Sequence, residues 1–146
     1  MRNKKGFTLI EVLLVIVIIA ILAGIVIIAV NPGRQISQAN NTQRSSDVKA
    51  ILDAVHQFAV ESRGVMPDAI TEAATTIGSG DGQIDICTDL VPTYITAMPA
   101  DPTSDGAGYT DCDTYDTGYQ ISIDADNRVT VSAPSAELEE TISITR

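Results

Sequence analysis

Lys4-Lys5-Gly6, then Phe7-Thr-Leu-Ile-Glu11, then VLLVIVIIAILAGIVIIAV from Val12 to Val30 is the stretch that decides how this chain is read. Every residue from Val12 to Val30 is apolar or Gly, and no charge falls between Glu11 and Arg34. As a helix rising about 1.5 Å per residue, the run spans roughly 28 Å, close to the hydrocarbon thickness of a bilayer. Arg2, Lys4 and Lys5 precede it, so the positive-inside rule keeps that end cytoplasmic and places the residues after Asn31 outside. A cleaved secretory signal would have a shorter apolar region and a small-residue cleavage site at its far end, where AVNPG offers only a poor candidate. A plain anchor fits the length but leaves Glu11 unexplained, and a buried soluble helix would not carry so long an unbroken run.

A carboxylate one turn inside an apolar helix costs about 2.5 kcal/mol or more unless it stays near the interface or finds a partner. A cut between Gly6 and Phe7 would create that partner: the free α-amine of Phe7, with Glu11 at the fifth position. Within one helix the two lie about one turn apart, and a neighbouring subunit shifted along the axis could offer its amine instead. KKG followed by FTLIEVLLVIVIIAILAGI resembles the class III signal and first helix of type IV pilins and pseudopilins. The resemblance implies an inner-membrane prepilin peptidase that cuts after Gly6 and methylates Phe7, with Glu11 as the assembly residue. It also implies a pilin-like α+β fold: a long kinked N-terminal helix, transmembrane then amphipathic, packed on a small antiparallel β-sheet.

Four segments are expected: a leader over 1–6, a transmembrane and filament-core helix over 7–30, its amphipathic continuation over 31–63, and a loop-rich sheet body over 64–146. Pro32 removes one intrahelical bond and disfavours α geometry in the residue before it, so a kink or melted turn is expected there. From Gln35 to Arg63 there is no Gly or Pro, and Val48, Ile51, Leu52, Val55, Phe58 and Ala59 recur at helical spacing. Asn40 to Ser46 reads as polar all round, suiting a stretch between membrane and body. Gly64 and Pro67 stop the helix.

Beyond it, Met66–Gly82 is rich in Ala, Thr, Gly and Asp, with GSGDG read as loop. Ile84 and Ile86 alternate as a short strand, and Val91–Ile95 as an extended or turn segment. MPADPTSDGAGYTDCDTYDTGY reads as a structured loop with no regular element. Tyr119–Ile123 and Arg128–Ser132 alternate around DADN as a hairpin, and Ile142 and Ile144 sit at strand spacing. Cys87 and Cys112 lie in the half read as exported, where a disulfide is expected over free or intermolecularly paired thiols. The chain-entropy model puts the stabilisation from such a loop at roughly 3.5 kcal/mol. That matters to a body with no Trp and only four Tyr and Phe58 as aromatics.

The formal charge is −10; removing Arg2, Lys4 and Lys5 from nine Lys and Arg leaves six against nineteen acidic residues. Such a body repels polyanions, which weighs against nucleic acid as a partner. No G-x-S-x-G, H-E-x-x-H or C-x-x-C is present, GSGDG lacks the Lys-Ser/Thr of a phosphate loop, and His56 is the only histidine, so no enzyme is expected. Asp101, Asp105, Asp111, Asp113 and Asp116 lie close together in Gly-rich sequence. Two readings stay open for them: hard oxygen ligands for Ca²⁺, as in major pseudopilins, or plain turn chemistry. No other cofactor is expected.

The function that the resemblance implies is a structural subunit of a type IV pilus-like filament. The alternatives are a pseudopilin of a type II secretion system and a minor or competence pilin binding DNA or a surface. The implied partners are other pilins or copies of itself, the peptidase and methyltransferase, the assembly platform and the membrane. The implied location is single-pass in the cytoplasmic membrane before assembly, then an extracytoplasmic filament.

Overall fold

A computed structural model describes residues 6–146; of the expected leader, residues 1–5 lie outside the described residues. The chain divides into two compact units, one running to Ile36 and one from Ser37 to Arg146. The first contains helix α1, Leu9–Val30, whose described side chains are all exposed. From Val12 the run holds only apolar residues and Gly24, and nothing stops the helix until Asn31. There the backbone turns left-handed at φ 45°, and α2, Pro32–Glu61, begins at the next residue. Asn31 Oδ1 accepts from the Arg34 N–H, and its carbonyl accepts from Gln35. Proline suits the first helical position because its missing N–H has no helical acceptor there. The expected kink or melted turn is thus a one-residue break.

In the second unit α2 lays Val48, Ile51, Leu52, Val55 and Ala59 on a sheet of β1 (Thr75–Gly78), β2 (Gly108–Asp111), β3 (Thr114–Ile123), β4 (Val129–Ala133) and β5 (Ile142–Thr145). All pairings are antiparallel, in the order β1-β3-β4-β5, with β2 also on β3. Ile77, Tyr119, Ile121, Val129 and Val131 meet the helix stripe with no exposed surface, and Ile86 and Leu90 close one end. Each such aliphatic side chain contributes about 1.5–3 kcal/mol of burial before the entropy of ordering is counted. A single apolar helix and a small antiparallel sheet make this an α+β chain, consistent with a pilin-like fold.

The β3–β4 hairpin forms where DADN sits, with Ile123 opposite Val129, and Ile142 and Ile144 lie in β5. Three local expectations are corrected. The segment read as devoid of regular structure contains β2 and the start of β3, because Tyr115, Thr117, Tyr119 and Ile121 alternate inward despite the intervening Asp and Gly. Thr75–Gly78, in a stretch whose composition gives no element and where only GSGDG reads as loop, is a strand paired to β3 that takes in the first Gly of that loop. Ile84 makes only an isolated bridge to Ile77, and a short helix α3, Cys87–Leu90, follows. At Gly118 the chain bulges with φ +70°, and a Cβ would stand 2.9 Å from Ser104 Cβ, so only glycine fits.

Candidate assembly site

The first turn of α1 is built by a reciprocal cap. Thr8 Oγ1 accepts from the Glu11 N–H at 3.3 Å, while Glu11 Oε2 accepts from the Thr8 N–H at 3.3 Å and from its hydroxyl at 3.2 Å. This satisfies orphan donors at the helix start and holds the carboxylate at the positive end of the helix dipole. Thr8 is a partner of Glu11 that the sequence reading does not name, although Thr-x-x-Glu is the sequence signature of this cap. In the uncut chain Phe7 contributes a peptide nitrogen, so its amine becomes available to Glu11 only after cleavage. Phe7 is 86% exposed and stands beside exposed Leu9, Val12, Leu13 and Ile16. The span Leu9–Ala29 is long and apolar enough to cross a membrane, and none of it is buried. In water such a surface would aggregate; it needs lipid or other apolar helices around it.

The polar part of α2 is not the solvated spacer that its composition suggests. Asn41, Arg44 and Asp47 are buried, with Arg44 at 0% exposure. Arg44 donates through Nε to Asp101 Oδ2 at 2.7 Å and through Nη2 to Oδ1 at 3.1 Å, a two-pronged pair. Its Nη1 reaches Asn41 Oδ1 at 2.8 Å and Glu137 Oε2 at 2.9 Å, and Nη2 also meets the Thr103 hydroxyl. Glu137 in turn accepts from Ser37 and Asn40, while Asn41 takes the Glu137 N–H. One guanidinium therefore ties the segment at Asp101 and the turn at Glu137 to the helix.

The Asp101 bond, outweighing burial, raises the Arg44 pKa. Burial works against the Asp101 carboxylate, yet the Arg44 bond and the N–H groups of Thr103 and Ser104 hold it below its ordinary value. Arg44, Asn40 and Ser37 lower Glu137 likewise. Asp47 goes the other way, raised by burial against the bonds from Tyr119 and Gln43. Tyr119, donating to Asp47 at 2.8 Å, is raised by burial and by that carboxylate.

Cys87 and Cys112 are joined by a disulfide, Cα atoms 5.3 Å apart. The five aspartates offered as calcium ligands do not converge. Asp101 is buried on Arg44; Asp116 accepts from Gln83 and the Gly118 N–H; Asp111 caps the Asp113 N–H; Asp105 and Asp113 are exposed. Among the described residues no group of three or more His, Cys, Asp or Glu is placed to hold a metal. His56 is half-buried, with no hydrogen-bond partner for Nε2.

A fully exposed helix, long and apolar enough to cross a membrane and with a capped carboxylate in its first turn just past a Gly-Phe junction, thus precedes an α+β body consistent with a pilin-like fold. The family model for the prokaryotic N-terminal methylation motif matches residues 1–27, so this chain carries the type IV prepilin signal. That motif implies processing by a prepilin peptidase and assembly at the membrane with other pilins. No curated protein and no solved structure matches the chain.

Proposed function

We propose that this chain is a structural subunit of a type IV pilus-like filament. It is cut between Gly6 and Phe7, methylated on the Phe7 amine, and moved from membrane to filament through α1. The observation that carries this reading is Glu11: a carboxylate in the first turn of an exposed apolar helix, four residues past Phe7. In the membrane Thr8 and the nearby interface compensate it. In the filament, where apolar helices pack side by side, the amine of a neighbour's Phe7 provides a charge partner and sets axial register, since an ion in hydrocarbon is tolerated only when paired. The acidic body disfavours DNA as cargo.

Glu11→Ala tests this. The variant is expected to insert and to be cut like the wild type, because only one polar side chain is lost, but to yield no filaments. Wild-type filament yield from this variant would refute the pairing.

A further inference from the structure

The charge of this chain is unevenly placed. From Gly64 to Asn127 there is no Lys, Arg or His, against twelve Asp and Glu. Four of these, Asp85, Asp89, Asp111 and Asp113, stand within two residues of the bridged Cys87 and Cys112, are exposed, and make no ion pair among the described residues. They form an acidic knob pinned by the disulfide. In the body, Arg44 is buried on Asp101, Arg128 pairs with Asp124 and Asp126, and Arg146 pairs with Asp53. Lys49 and Arg63 are the body's exposed cations without such a pair among the described residues, one on α2 and one just past its end.

Between them runs an open groove of about 470 Å³ lined by Asp53, His56, Gln57, Val60, Glu61 and Arg146. Val60 is 80% exposed, and the His56 Nε2 is shut off from solvent with no partner. An exposed apolar side chain and two cations without an ion pair among the described residues, one on α2 and one just past its end, make an unfinished surface.

We propose that this outer face of α2, from Lys49 to Arg63, receives the acidic knob around the disulfide of a second copy. This rests on the filament reading above. Copies with so strong a negative excess repel when packed alike; on this face Asp53 is held by Arg146 and Glu61 accepts from the Tyr94 hydroxyl, which leaves Lys49 and Arg63 as the cations open to the knob. Complementary patches of this kind fix register and exclude wrong alignments more than they add raw affinity. The bodies would thus set rotation between subunits while Glu11 sets height.

Zero-length carbodiimide coupling of filaments assembled from mixed light and isotopically heavy subunits tests the contact without altering the chain. Lys49 is expected to be joined to Asp85, Asp89, Asp111 or Asp113 of a different copy. In parallel, Lys49→Glu with Arg63→Glu is expected to lower filament yield by about tenfold or more, as facing like charges are strongly unfavourable. Insertion, Gly6–Phe7 cleavage and disulfide content should be unchanged, and adding Asp89→Lys with Asp113→Lys should restore yield. Cross-links from Lys49 only within one copy, or wild-type yield from Lys49→Glu with Arg63→Glu, would overturn the docking while leaving the filament reading intact. Absence of any filament from the processed wild-type chain would overturn both.

Discussion

Replacing Arg44 with Met keeps an unbranched side chain of similar reach but removes the cation that joins α2 to the segments at Asp101 and Glu137. Asp101, whose side chain has no exposed surface, would then be a buried carboxylate without its countercharge. Removing one partner of a buried pair costs about 3–5 kcal/mol. Here the lower end applies, because Asp101 keeps the N–H groups of Thr103 and Ser104, both at 2.9 Å, and Glu137 keeps Ser37 and Asn40. About 3 kcal/mol is a large share of the 5–15 kcal/mol typical of a domain. At about 4 °C per kcal/mol, it lowers Tm by roughly 12 °C. Thermal and urea unfolding of the full chain in detergent, followed by the near-ultraviolet dichroism of tyrosines that include buried Tyr119, measures this. Adding Asp101→Asn to Arg44→Met should recover part of the loss, because the orphaned charge is then gone. A loss under about 1 kcal/mol, or strictly additive single effects, would refute the view that the pair is coupled and buried.

Further outcomes concern the same body. Cys87→Ser with Cys112→Ser opens a loop with a sequence separation of 25 and is expected to cost roughly 3.5 kcal/mol in the chain-entropy model, read as a lower urea midpoint; an unchanged midpoint would contradict it. Asp101 and Glu137 titrate below their ordinary values in the fold, so their contribution is full above those values and is lost as pH falls through the lowered ones. Asp47, raised in the fold, binds its proton more readily there and offsets part of that loss. The net expectation is a Tm that falls below about pH 4, the ordinary carboxylate range, and falls less in Arg44→Met; a Tm rising steadily with acid would contradict it.

The apolar span, the core stripe of α2 and the β3–β4 hairpin were legible because each rests on a hydrophobic period. The start of that stripe was not. Asn41, Arg44, Val48, Ile51 and Val55 succeed one another at three- and four-residue steps, so one face runs on into polar residues whose partners, Asp101 and Glu137, are far away in the chain. Spacing held the signal, and composition hid it. β1 and the first half of β3 were hidden likewise: Thr, Gly and Asp carry turn propensity, while pairing with neighbouring strands and burial of Tyr115 and Ile77 decide the outcome. Glu11 stood out as a charge in an apolar run, yet its link to Thr8 depended on reading Thr-x-x-Glu as a cap.

Sequencing the N-terminus after co-expression with a prepilin peptidase tests the central claim most directly. The expected result is a mature chain beginning at Phe7, with one methyl group on its amine. An intact Met1, or a chain beginning beyond Val30, would contradict it.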